Sequence, residues 1–342
     1  MPDDIVPTTT APKPAPLDKK AYKSDQEVRW CPGCGDYSIL NAVQQLLATL
    51  GVPRHQLCFV SGIGCSSRFP YYMNTYGLHS IHGRAPAFAT SIKTANPDLQ
   101  VWLATGDGDG LSIGGNHMLH MLRRNVDVKV LLFNNQIYGL TKGQYSPTSP
   151  PGLKTKTSPM GSVDRAVDPI RFALGCGATF IARTIDTHQK HMLAVLEAAA
   201  KHKGTAFVEI FQNCVIFNDG CFDDVIERSV RDDKTVDLVP GKPLVFGKQL
   251  DKGVKIDAAE ARVVTAAEAT PWDPSTRSAA GAFVLSEMAE QPGNPTPIGI
   301  FRSISAPTFD EGMNKQVQTA IAKRGAGKLK DLLWTGDMWD VK

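Results

Sequence analysis

VWLATGDGDG, residues 101–110, joins an apolar run, Val101 to Ala104, to a turn in which glycine alternates with aspartate. A helical pattern follows over Leu111 to Arg124, and a second apolar run, Val128 to Phe133, ends in Asn134-Asn135. Strand, glycine turn, helix and strand in that order predict parallel strands joined by right-handed crossovers, with function at the carboxyl ends of the strands. Toward the N-terminus, Leu57 to Val60 runs into SGIGCSS in the same way. Before it, Ile39, Val43, Leu46, Leu47 and Leu50 recur at helical spacing over Tyr37 to Leu50, with Asp36 as the expected cap and Gly51 as the stop. Toward the C-terminus, Ala178 to Ala182, a helix from about His188 to Lys201, and Ala206 to Phe211 repeat the pattern. SPTSPPGLKTKTSPMGS, residues 146–162, is too proline-rich for an element and reads as a lid or a partner-facing loop.

The 342 residues are 42% hydrophobic and 21% charged, which excludes disorder for the bulk of the chain. A net charge of +3 is too weak for nucleic acid or a membrane surface to be the expected partner. Seven cysteines do not make a disulfide scaffold, and no early apolar run has signal or span length, so the expected compartment is the reducing cytoplasm, with thiols free or metal-bound. Residues 1–24, with Pro2, Pro7, Pro12, Pro14 and Pro16, read as a flexible tail. Residues 25–222 form the expected working domain, and residues 223–342 a polar C-terminal extension with helices only near Arg277 to Ala289 and Glu311 to Lys323.

The turn Gly106-Asp107-Gly108-Asp109-Gly110 sits where backbone amides and a helix dipole favour a phosphate. With Asn134-Asn135 at the end of the next strand, a carboxylate, a carboxamide and a main-chain carbonyl emerge side by side, a set magnesium uses together with phosphate and water. A dinucleotide fingerprint would need glycine at Leu111, and no Walker motif occurs. The GDG and NN pair resembles the signature of thiamin-diphosphate enzymes. That resemblance implies magnesium held by Asp107, the Asn135 side chain and the Ile137 carbonyl, with Gly108 and Asp109 at the diphosphate.

By spacing alone, Cys31-Pro32-Gly33-Cys34 with scattered partners fits structural zinc, unligated thiols or an iron–sulfur site. The surrounding words narrow this. WCPGCG, SGIGCSSR, HGRA, GDGD and NNQIYGLTKGQ, in that order between Arg29 and Asp223, resemble the β subunits of 2-oxoacid:ferredoxin oxidoreductases, above all those acting on 2-oxoglutarate. The resemblance implies a thiamin-diphosphate-binding α/β fold with a largely parallel sheet flanked by helices. It also implies one [4Fe–4S] cluster on Cys31, Cys34, Cys65 and Cys214. Cys58 and Cys176 then read as packing residues, and Cys221, seven positions after Cys214, matches none of the four ligand positions.

The same resemblance sets Ile63, Gly64, Cys65, Ser66 and His82 along thiamin diphosphate, with Gly139, Leu140 and Thr141 bordering the site. Arg68 and Lys142, otherwise ordinary surface cations, become the groups that bind carboxylates of the 2-oxoacid. The implied reaction is CoA-dependent oxidative decarboxylation, with electrons leaving through the cluster to ferredoxin. The glutamate that activates thiamin is expected on an α subunit, so the active unit is an αβ or α2β2 heteromer and no general base is assigned here. Two other readings keep some of the same residues: a non-redox thiamin-dependent decarboxylase or carboligase with structural cysteines, and a zinc-stabilised interaction module.

Overall fold

The computed structural model describes residues 18–257, 260–339 and 341. Eight strands form the central sheet: β1 Leu57–Ser61, β2 Tyr76–His79, β3 Gln100–Gly106, β4 Val128–Asn134, β5 Phe180–Ile185, β6 Ala206–Phe211, β7 Thr235–Leu238 and β8 Thr296–Ser303. Their order is β2-β1-β3-β4-β6-β5-β8-β7, and the first six run parallel. β8 pairs antiparallel with β5 and parallel with β7. The inner strands β1, β3, β4, β5 and β6 are almost wholly buried, as expected for a parallel sheet covered on both faces.

Each face has its own apolar core. On one, Ile39, Val43 and Leu47 of the helix Asp36–Leu50 and Met192 and Leu196 of the helix Gln189–Lys201 pack over Phe59, Trp102, Leu131 and Val208. On the other, Ala85 and Ala89 of the helix Ala85–Ala95 and Met118 and Leu122 of the helix Gly115–Arg124 cover Val60, Leu103, Val130 and Leu132. Strand alternation sends successive residues to opposite cores, so a one-residue slip of β3 or β4 would exchange the two sets.

Several expectations differ in detail. The helix after GDGDG is broken into Asp107–Leu111 and Gly115–Arg124, with Gly114 packed against Gly83 between them. Asp36 lies inside its helix, whose cap position is Gly35, and caps nothing. The expected tail lies outside the described residues for 1–17. At 18–24 the chain is packed instead: Asp18 caps a short turn over Lys19–Tyr22, Tyr22 is fully buried, and Lys23 pairs with Met73. The stretch after 222 carries the helices Ala280–Met288 and Phe309–Arg324, but it also supplies β7 and β8 to the sheet. No helix among the described residues is long and apolar enough to cross a membrane.

Candidate functional site

β1, β3, β4, β5 and β6 run parallel and end on one side of the sheet, where the glycine turns after β1 and β3 and the Asn134-Asn135 pair at the end of β4 meet. Asp109 ties three of the turns together: its Oδ1 accepts the Ile63 amide at 3.2 Å and the Gly83 amide at 2.7 Å, and its Oδ2 accepts the Thr105 hydroxyl at 2.9 Å. The turn after β1 comes so close that a Cβ on Gly62 would lie 1.8 Å from Asp109 Oδ2, and Gly64 takes φ +125°, so glycine is required at both places. With its carboxylate spent on these turns, Asp109 has only its main chain to offer a diphosphate.

A cavity of about 210 Å³ opens beside this clasp. Ile63, Gly64, Cys65, Ser66, His82, Asp107, Gly108, Asp109, Asn135, Ile137, Gly139, Leu140 and Thr141, the full set expected for thiamin diphosphate and its cation, line it. Asp107 is 2% exposed; its Oδ2 accepts Ser146 Oγ at 2.5 Å and Thr148 Oγ1 at 2.6 Å. Burial raises its pKa against these hydroxyls, and no cation offsets it. A buried carboxylate facing a cavity without a cationic partner is the environment a divalent ion completes. Asn135 directs its Nδ2 to Gln212 Oε1 at 2.7 Å, while its Oδ1 accepts the Ile137 amide at 3.2 Å.

Cys31 and Cys34 from one turn, Cys65 from the turn after β1 and Cys214 from the segment after β6 line a second cavity of about 250 Å³. Trp30 sets the Cys31–Cys34 turn against the Cys65 turn: its Nε1 donates to the Cys65 carbonyl at 2.7 Å, and its ring meets Tyr72 edge-on at 4.8 Å. Gly139 fits between sulfurs, since a Cβ there would lie 3.4 Å from Cys214 Sγ and 3.8 Å from Cys65 Sγ. Burial pushes the Cys34 thiol up and the Cys65 thiol to about 12, with the Asp36 carboxylate adding to both. Bound metal is what would make such buried thiols thiolates. Among the described residues no three His, Cys, Asp or Glu side chains come together closely enough to hold a single metal ion.

Cys65, Asn135, Gly139 and Leu140 line both cavities, so the two share a wall. Arg68 and Lys142 border the cysteine cavity, and Arg68 also a wider outer one of about 550 Å³ with Arg29, Tyr71 and His79. Cys58 is buried in the core and Cys176 packs against it. Cys221 lines neither cavity and points its sulfur at the Asn135 carbonyl, 3.7 Å away. His191 and His202 lie away from these cavities: His191 bonds Thr184 at 2.8 Å, and His202 bonds Thr179 at 2.8 Å.

Four residues of the site were not legible as such. Ser146 and Thr148 open the proline-rich loop, and rather than facing a partner they are buried against Asp107. Gln212 bridges Asn135 and Cys34. Asp36, read as a cap, is 1% exposed with both carboxylate oxygens unpartnered on the wall of the first cavity. Burial and the neighbouring Asp186 raise its pKa to about 7. Only the hydroxyl-rich start of the loop, Ser146, Thr148 and Ser149, carries a signal that could have pointed to Asp107.

Residues 62–210 match the family described as thiamine pyrophosphate enzyme, C-terminal TPP binding domain. The chain is 49% identical to the 2-oxoglutarate oxidoreductase subunit KorB of Mycobacterium tuberculosis over 343 aligned positions, covering 98% of this chain and 91% of that one. It is 48% identical to the 2-oxoacid:ferredoxin oxidoreductase 1, subunit beta, of Aeropyrum pernix over 199 positions, covering 58% and 63%. Its fold superposes with a TM-score of 0.73 and 36% identity on a chain of the 2-oxoglutarate:ferredoxin oxidoreductase from Magnetococcus marinus, a structure with 2-oxoglutarate, coenzyme A and succinyl-CoA bound, over 94% of this chain and 97% of that one. Sheet order, the clasped glycine turns and this near full-length likeness agree: the chain belongs to the β-subunit family of the 2-oxoacid:ferredoxin oxidoreductases.

Proposed function

We propose that this chain is the β half of a 2-oxoglutarate:ferredoxin oxidoreductase, in which 2-oxoglutarate, coenzyme A and two oxidised ferredoxins give succinyl-CoA, carbon dioxide, two reduced ferredoxins and a proton. The observation that carries the reading is the shared wall: Cys65, Asn135, Gly139 and Leu140 stand between a cavity with an unpaired buried carboxylate and a cavity lined by four cysteines. Thiamin diphosphate supplies the carbon nucleophile and electron sink that 2-oxoacid decarboxylation needs. Asp107, the Asn135 side chain and the Ile137 carbonyl are the chain's magnesium ligands in this reading. Gly108 and the main chain of Asp109 meet the diphosphate, while Ile63 to Ser66, His82 and Gly139 to Thr141 close around the rest of the cofactor.

Cys31, Cys34, Cys65 and Cys214 hold a [4Fe–4S] cluster. Thiols spread around a volume suit a polynuclear group, whereas tetrahedral zinc gathers its sulfurs to about 2.3 Å from one point. Arg68 and Lys142 bind the substrate carboxylates: the guanidinium makes a two-pronged contact and the ammonium a point charge. In this reading an α subunit brings the activating carboxylate and completes an αβ or α2β2 enzyme, in keeping with the β-subunit names of the relatives. The seven unbridged thiols suit a reducing cytoplasm.

The test is co-expression with the α subunit under anaerobic conditions, followed by ferredoxin reduction with several 2-oxoacids and coenzyme A. The fastest reduction is expected with 2-oxoglutarate, from a brown protein. Colourless protein with stoichiometric zinc, or no thiamin diphosphate binding in the complex, contradicts the reading.

A further inference from the structure

Gln212, directly after β6, is 1% exposed; it lines the cysteine cavity and meets the thiamin cavity through Asn135, which lines both. Its Oε1 accepts Asn135 Nδ2 at 2.7 Å, and its Nε2 donates to Cys34 Sγ at 3.3 Å and to the Asn213 carbonyl at 2.5 Å. The backbone holds the pair in place: the Gln212 amide donates to the Asn134 carbonyl at 2.9 Å, and the Ile137 amide donates to Asn135 Oδ1 at 3.2 Å. A carboxamide accepts at one end and donates at the other, so this chain of contacts has a direction. When Asn135 turns its oxygen to a cation, its Nδ2 must face Gln212. Gln212 must then answer with Oε1, and its Nε2 is left facing sulfur. Reversing Gln212 would set two N–H groups against each other in a buried place and leave the sulfur without a donor.

We propose that Gln212 is a positioning residue that couples the two cofactor sites: one side-chain amide holds Asn135 in its cation-binding orientation and donates a hydrogen bond to the cluster-ligating sulfur of Cys34. The inference rests on the assignments of Asn135 and Cys34 made above. A reduced cluster carries one more negative charge than an oxidised one, and a hydrogen bond to a ligating sulfur stabilises the reduced form more, which raises the potential. Burial strengthens the effect, since the bond competes with no water. Filling space against Gly35, where a Cβ would lie 2.9 Å from Gln212 Cγ, is the alternative role, and it would leave the potential untouched.

The test uses the αβ holoenzyme carrying Gln212→Met, which keeps the length of the side chain and removes both ends of the amide. An EPR-monitored redox titration of protein with parental iron content should find about tenfold less reduced cluster at a fixed poise, about 59 mV for one electron. Magnesium-dependent thiamin diphosphate binding should weaken in parallel. An unchanged potential at full iron content overturns the proposal. A second measurement needs no variant: with ¹⁵N in the glutamine side-chain amides, pulsed EPR of the reduced parent enzyme should detect a ¹⁵N coupling carried through the Cys34 sulfur, and its absence also overturns the proposal. A parent holoenzyme without any EPR-active cluster would instead overturn the functional reading, and this inference with it.

Discussion

Buried charge lies at both ends of the parallel strands, and the two ends treat it in opposite ways. At the amino end, Lys129 Nζ donates to Asp127 at 2.6 Å and to the Gly204 carbonyl at 3.2 Å. Lys93 joins Asp127 at 3.2 Å and also donates to the carbonyls of Pro97 at 2.8 Å and Leu99 at 3.0 Å. Although burial works against it, the Asp127 carboxyl is held below its usual range by Lys129 and Lys93. At the carboxyl end, Asp107 and Asp36 are buried more deeply than Asp127 but have no cation, and burial pushes both pKa values up. A network that is closed on itself has nothing left to bind. Charge left open beside a cavity is a site whose counter-charge comes from elsewhere.

The largest effect that separates the ends is expected from Asp107→Ala. Calorimetry on the αβ complex should show magnesium-dependent thiamin diphosphate binding reduced more than about a hundredfold, about 2.7 kcal/mol, with iron content intact. Equal affinity would place the cation elsewhere. Cys214→Ser should lower iron to well under the parental content while thiamin diphosphate still binds. A full complement of iron would indicate Cys221 as a ligand in its place.

Lys129→Met tests the closed end. Breaking a buried pair costs about 3–5 kcal/mol, and because Lys93 still faces Asp127 the unfolding free energy from urea titration should fall by an amount near the lower figure, with cofactor affinity unchanged. Thr148→Val removes one hydroxyl from Asp107. The magnesium requirement for cofactor binding should rise about tenfold, as the loss of one hydrogen bond to a charged group implies.

The smallest effect is a pH dependence at the closed end. Burial, then Lys129, lowers the His202 pKa to about 4. The unfolded chain takes up that proton near the ordinary histidine value while the folded chain resists it, so stability falls as pH drops from about 6.5 toward 4. His202→Gln should flatten this slope in urea titrations across that range. A slope identical to the parent's would mean that other groups set it.

The part of the fold that sequence discloses is the part where one strand, one turn and one helix follow each other locally. The strands at 101–104, 128–133 and 206–211 and the glycine stops are of this kind, and their ends mark the site. β8 escaped because Pro297 and Gly299 break its pattern: Gly299 sits at φ +94°, and the register shifts between Ile300 and Arg302. The family motifs carried the cysteines and the GDGDG turn. Asp36 and Gln212 did not stand out, because their roles depend on partners far away in sequence. An aspartate before a helix reads as a cap, and nothing local distinguishes one turned inward beside Cys34.

The central claim is that the open charge of Asp107 and the four thiols are two halves of one centre. Crystals of the anaerobic αβ complex grown with thiamin diphosphate and magnesium, measured at the iron edge, address it directly. The account predicts one compact anomalous peak bounded by Cys31, Cys34, Cys65 and Cys214, and density for a cation between Asp107 and Asn135 across the Cys65–Gly139 wall. A single zinc among the sulfurs, or a cofactor whose cation lies away from Asp107, would contradict it.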